Sequence, residues 1–137
     1  MADQPDAQMM AAVERVAGFI GGGALAPDTF ADGDVTIIEN FAPFVFEGPG
    51  AVEAWAREMG SHLIGLASLR HRFGPAIDFG QDGDRAYFSL PTTWRGVARG
   101  TAFTETGGWA FVLVKQGAEW RVRNYGWAVT SLIADKP

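Results

Sequence analysis

The last third of this chain limits the fold most strongly. Residues 98–129 read ARGTAFTETGGWAFVLVKQGAEWRVRNYGWAV, two long strand signals with a short turn between them. Trp109–Lys115 has no polar side chain before its end, and Trp120–Val129 sets Trp120, Val122 and Asn124 against Arg121, Arg123 and Tyr125. Joined by Gln116-Gly117-Ala118-Glu119, the two runs predict a β-hairpin. The hairpin closes a chain whose first half reads as helices, and that order selects an α+β arrangement.

Upstream, the periodicity changes once. Met9, Val13, Val16, Ala17 and Ile20 recur at helical spacing, and Gly21-Gly22-Gly23 ends that first helix. A second, short helix is expected over Ala26–Phe30, with Pro27 in its first turn. A short strand follows over Val35–Asn40, then a loop punctuated by Pro43, Gly48, Pro49 and Gly50 around Phe44-Val45-Phe46. The third helix covers Ala51–Ile64, with Val52, Trp55, Met59 and Leu63 as its apolar face. Beyond Gly65 the period falls to two. Strands are expected near 67–79, 85–95, 98–115 and 119–130, with Gly74-Pro75 interrupting the first of them.

At 137 residues, 47% hydrophobic and 20% charged, the chain reads as one globular domain over 1–137, with a flexible start at 1–7. There are no cysteines, so disulfides and thiolate metal sites are excluded. Two histidines nine residues apart match no metal-ligand pattern, and no metal is expected. A net charge of −5 argues against a nucleic-acid surface. No run is long and apolar enough to span a membrane, and the acidic N-terminus is unlike a signal peptide, so a cytoplasmic location is expected.

Both faces of Trp109–Val114 are apolar, although helices can cover only one of them, so a homodimer through the outer sheet face is expected.

Three segments carry a family resemblance: Thr29–Thr36 (TFADGDVT), Gly48–Val52 (GPGAV), and Gly107–Phe111 continuing through Glu119–Val122. In that order they resemble the nuclear transport factor 2-like superfamily, and within it the SnoaL-like and ketosteroid isomerase-like proteins. The resemblance implies a cone: a curved antiparallel sheet, mixed at its edge, wrapped around three N-terminal helices. It also implies an apolar pocket at the wide end and dimerisation through the outer face. One such cone hosts isomerases, cyclases, dehydratases, binders and adaptors. In ketosteroid isomerase-like members a carboxylate ending the first strand moves the proton, and that position falls on Glu39. The family's oxyanion hole uses a first-helix tyrosine and a protonated aspartate on a late strand. Here the first helix reads Ala17-Gly18-Phe19, and Trp109 stands near the aspartate's position.

The other candidates come from the residues themselves. A carboxylate at the rim of an apolar cavity has a raised pKa and can act as a base, whereas a solvated strand end beside Asn40 is the plain alternative for Glu39. His71 shares a strand face with Leu69 and Phe73 and is a second acid–base candidate, or a satisfied core histidine. His62, Trp55, Trp94, Trp109, Trp120 and Asn124 are the candidate ligand-binding residues, with core or capping roles as the alternatives. The strand arginines, Arg121 and Arg123 among them, are expected to pair with Glu105 and Glu119 on the outer sheet face or to bind a partner. Three kinds of function stay open. One is a cofactor-free acid–base isomerase, cyclase or dehydratase acting on an apolar or aromatic small molecule. The second is a non-catalytic small-molecule binding protein, and the third a dimeric interaction module whose pocket is filled by its own side chains.

Overall fold

A computed structural model describes residues 4–134 as two helices and seven strands. Helix α1 (Ala7–Ile20) starts where Asp6 accepts a hydrogen bond from the Met9 amide at 2.9 Å. Residues 1–3 of the segment expected to be flexible lie outside the described residues, and Asp6 and Ala7 open the helix. At its other end Gly22 takes φ +109°, a backbone region that favours glycine. Met9, Ala12, Val13, Val16, Ala17 and Ile20 form its buried face.

The short helix expected at Ala26–Phe30 is absent. Thr29 bonds back to the Ala26 carbonyl through both its amide and its hydroxyl, which makes a turn, and Phe30 forms a parallel bridge to Val122. Five residues give too few hydrogen bonds to offset helix nucleation, while pairing with the last strand satisfies the backbone directly. The cone therefore wraps two helices, α1 and α2 (Ala51–His62), and not three. The Phe44-Val45-Phe46 loop is also partly a strand: β2 (Val45–Phe46) pairs antiparallel with β1 (Thr36–Ile38).

The remaining strands are β3 (Leu66–Phe73), β4 (Ile77–Asp82), β5 (Arg85–Ala98), β6 (Thr101–Gln116) and β7 (Glu119–Ala134). The sheet order is β2-β1-β7-β6-β5-β3, with β4 also on β5. Gly74-Pro75 does interrupt the run at 67–79: β3 pairs with the second half of β5 and β4 with the first. All pairings are antiparallel except β1 on β7, so the sheet is mixed at this edge.

From Trp109 to Leu113 the side chains of β6 alternate: Trp109, Phe111 and Leu113 are buried in the core, and Ala110 is exposed. In β7 the alternation breaks. The register shifts where Val112 pairs with Asn124 and Leu113 with Val122, leaving Arg123 as an extra residue. This bulge is held from outside, since the Arg123 Nη1 donates to the Asp32 and Asp34 carbonyls at 3.0 and 2.6 Å. Beyond it the phase inverts: Trp120 and Val122 are buried before the bulge, Tyr125 and Trp127 after it. Tyr125 therefore points inward, against the sequence expectation that grouped it with Arg121 and Arg123.

Candidate active site

The site begins at the end of β1. The strand delivers Ile37 to the core and is followed by Glu39, whose side chain turns inward and is only 5% exposed. A carboxyl group in this position needs donors. The Trp55 indole N–H of α2 donates to Glu39 Oε2 at 3.0 Å, and the Tyr125 hydroxyl of β7 donates to the same oxygen. No described residue donates to Oε1. Glu39 lines an apolar cavity of about 60 Å³.

Burial dominates the electrostatics. Desolvation pushes the Glu39 pKa up to about 7, against the opposing pull of the Tyr125 and Trp55 hydrogen bonds, and the nearby Glu105 raises it further. Tyr125 is held protonated, because burial and the adjacent Glu39 both raise its pKa. It therefore stays a hydrogen-bond donor at neutral pH. Glu39 sits near its own midpoint, so both the proton-accepting and the proton-donating form are populated there.

A continuous aromatic wall runs from this carboxyl group to a second one. Tyr125 meets Trp55 and Trp109 edge-on at ring separations of 6.0 and 5.0 Å, and Trp109 packs on Trp127 at 4.9 Å. Trp127 fits because residue 107 is glycine: a Cβ there would lie 2.8 Å from the indole ring and 2.2 Å from the Ala128 carbonyl oxygen. The Trp127 N–H donates to Glu105 Oε1 at 3.2 Å. Two of these three indoles thus hold a carboxyl group, while the buried Trp109 N–H has no partner among the described residues.

Glu105 is on the inward row of β6 and lines the same cavity. It does not join an outer-face ion pair with the strand arginines. Arg121 instead meets Asp28 and Asp32 at 3.4 and 3.5 Å. Burial raises the Glu105 pKa, opposed by the Trp127 hydrogen bond. His62, at the end of α2, stacks on Phe41 at 4.5 Å where both line the cavity, and burial lowers its pKa towards the neutral imidazole. His62, Leu66, Phe103 and Glu105 also line a wider groove of about 420 Å³ that includes Ile64, Arg99 and Leu132. The inner cavity and outer groove share these four residues.

Of the residues singled out in the sequence, Glu39, His62, Trp94 and Trp109 come together around the cavity. Trp55 stands behind Glu39 as its donor, fully buried. Three others lie elsewhere. Trp120 is a core residue outside the cavity lining, where its carbonyl accepts from Arg15 at 3.3 Å. Asn124 is turned outward by the β7 bulge, into a surface depression with Arg85 and Arg123. His71 faces α1, pairing with Glu14 at 3.0 Å and packing on Phe73 and Trp94. It is not among the cavity-lining residues and does not meet Glu39. Tyr125, Glu105 and Trp127 were missed. Among the described residues no cluster of three histidine, cysteine or acidic side chains could hold a metal ion, and no helix is long and apolar enough to cross a membrane.

Comparison with known proteins agrees with this architecture. Residues 24–126 match the SnoaL-like domain. No curated protein matches the sequence. A protein of solved structure from Kribbella flavida superposes with a TM-score of 0.76 at 12% identity, covering 93% of this chain and 91% of that one. A hexachlorocyclohexane dehydrochlorinase from Novosphingobium barchaimii LL02 superposes with a TM-score of 0.76 at 9% identity, over 93% of this chain and 88% of its own. A ketosteroid isomerase-like protein from Erwinia carotovora atroseptica gives a TM-score of 0.68 at 16% identity, over 91% and 95%. At these identities the likeness is one of fold.

Proposed function

Because this chain belongs to the SnoaL-like domain family, whose fold leaves the chemistry to the site, we propose that it is a cofactor-free acid–base enzyme. Glu39 removes a proton from a small apolar carbonyl compound held against the aromatic wall. The observation that carries this reading is a buried carboxyl group with a pKa near 7 on the cavity wall, with no described residue donating to its Oε1. Trp55 and Tyr125 fix Oε2, so the carboxyl group is oriented before a ligand arrives. The apolar lining favours a ligand with little charge. A dehydrochlorinase of a chlorinated cyclohexane shares the fold, which lends support to proton removal from apolar compounds within such a cone.

The test uses acetone, a ketone of a size that suits the cavity and with exchangeable α-protons, in deuterated buffer at pH 7. Wild-type protein is expected to accelerate α-proton exchange, and Glu39→Gln to lose roughly 100-fold or more. Equal rates for the two proteins would remove Glu39 from the chemistry.

The same reading has two copies meeting through the outer sheet face. Ile77 and Tyr87 are exposed there, and the register brings Tyr87 opposite Val112 and Ser89 opposite Ala110 and Ile77. Light scattering is expected to give a dimer that Val112→Glu converts to monomer. A wild-type monomer at micromolar concentration would contradict it.

A further inference from the structure

We propose that the outer groove holds the tail of the ligand whose carbonyl end enters the inner cavity, and that this tail is an apolar chain ending in a carboxylate bound by Arg99. The proposal rests on the reading of the inner cavity as the place of the Glu39 chemistry. It narrows the ligand to an oxo acid in which an apolar spacer separates the ketone from the charged end.

The two spaces differ in size. The inner cavity of about 60 Å³ takes only a group of a few heavy atoms, whereas small-molecule sites commonly enclose roughly 300–1,000 Å³. The groove beside it has about 420 Å³. His62, Leu66, Phe103 and Glu105 belong to both linings, so a ligand longer than the inner cavity continues past them into the groove. The groove walls suit an uncharged spacer: Leu66, Ala98, Phe103 and Ala134 line it, together with Ile64 and Leu132, which are 77% and 64% exposed. Large apolar side chains left open around one depression mark a place where an apolar surface docks.

Charge selects the far end of the ligand. Arg99 is the one lysine or arginine among the described residues of the groove, and it has no ion-pair partner within 4 Å among the described residues. It stands in the β5–β6 turn with φ +50°, and its amide donates to the Gly65 carbonyl at 3.1 Å, which ties this turn to the one between α2 and β3. The side chain runs back over Gly65, with its Cγ and Nε 3.8 and 3.9 Å from where a Cβ at that position would stand. Its stem is therefore laid against the rim of the groove, and its guanidinium offers the forked donors that match a carboxylate. Burial moves Glu105 towards the uncharged acid and His62 towards the neutral imidazole, so Arg99 dominates the charge of the groove. A single cation matches the single negative charge of a carboxylate, whereas a phosphate monoester carries nearly two.

The experiment is titration calorimetry of wild type, Arg99→Gln and Leu132→Ser with 2-octanone and 7-oxooctanoate. These compounds share a methyl ketone and the same methylene chain, and differ only in ending on a methyl or a carboxylate. Wild-type protein is expected to bind 7-oxooctanoate roughly 3- to 10-fold more tightly than 2-octanone, and the preference is expected to shrink in high salt. Arg99→Gln is expected to erase the preference, and Leu132→Ser to weaken both ligands. Equal affinities in wild type, or a preference that survives Arg99→Gln, overturn the assignment. So does a Leu132→Ser protein that binds both ligands as wild type does and loses its dimer instead, since a second copy is then what covers the groove. Acetone exchange keeps the two readings apart. An Arg99-dependent preference in a protein that exchanges no acetone protons removes the base and keeps the groove, and exchange without that preference does the reverse.

Discussion

Glu39 and His71 were the two acid–base candidates, and the fold gives them opposite surroundings. Glu39 is buried at the end of β1, held by an indole and a phenol, and its pKa is lifted by burial to about 7. His71 lies on β3 against α1, with a side chain 23% exposed and a partner, Glu14, that is 53% exposed. Both make a hydrogen bond of about the same length, 3.0 Å, to a side-chain partner. The difference lies in solvent. Water screens the histidine pair and makes it nearly neutral energetically, whereas the buried carboxyl group must be either satisfied or protonated. Chemical competence here follows from what surrounds a titratable group, and residue type alone does not supply it.

The largest effect expected from this contrast is on stability at pH 5, where Glu39 is protonated. Glu39→Ala leaves the Trp55 N–H and the Tyr125 hydroxyl buried without an acceptor, costing roughly 2–5 kcal/mol. Glu14→Ala is expected to cost less than about 1 kcal/mol. Urea denaturation of both variants checks this, and equal losses would erase the distinction between the two regions.

Next in size is a pH effect with a definite sign. The folded-state pKa of Glu39 lies above its ordinary 4.5, so folding binds a proton more tightly and favours acid. Its contribution is fully present below about 4.5 and is lost as pH rises through about 7. Relative to Glu39→Gln, wild-type protein should lose on the order of 3 kcal/mol across that window. A difference between the two proteins that stays constant with pH would count against it.

Smaller shifts sharpen the roles of the two donors. Tyr125→Phe removes the hydrogen bond that most favours the Glu39 carboxylate, so the Glu39 midpoint should rise above its wild-type value; Trp55→Phe should raise it less. A fall on either substitution, read by carboxyl 13C shifts, would contradict the assigned geometry. The smallest effect is expected from His71→Ala, which should leave the Glu39 midpoint where it is.

Much of this architecture was legible in the residues. The helical stripe from Met9 to Ile20, the break at Gly74-Pro75 and the terminal hairpin all stand where periodicity and punctuation put them. The exceptions are Ala26–Phe30, where a turn and pairing with Val122 take precedence over a weak helical signal, and Val45–Phe46, which pairs with β1 where a loop is expected. The site was less legible. Glu39 emerged from family resemblance and strand position, but its two donors are 16 and 86 residues away in sequence.

Strict alternation through the bulge puts Tyr125 on the wrong face. The clue was present: the apolar positions Trp120, Val122, Tyr125 and Trp127 contain one step of three among steps of two. Glu105 was readable as well, since counting back by twos from Leu113 through Phe111, Trp109 and Gly107 lands on it. A charged residue on an inward row invites reassignment to the surface, and here the Trp127 indole is what makes its inward position tenable. That indole lies 22 residues away, beyond the hairpin turn.

The central claim is that burial has turned Glu39 into a group that exchanges its proton near neutrality. The direct measurement is a carboxyl-detected 13C NMR titration of wild-type protein, with the Glu39 resonance assigned by comparison with Glu39→Gln. A midpoint near 7 is the expected result. A midpoint near the ordinary 4.5 would show a solvated carboxylate and contradict the account.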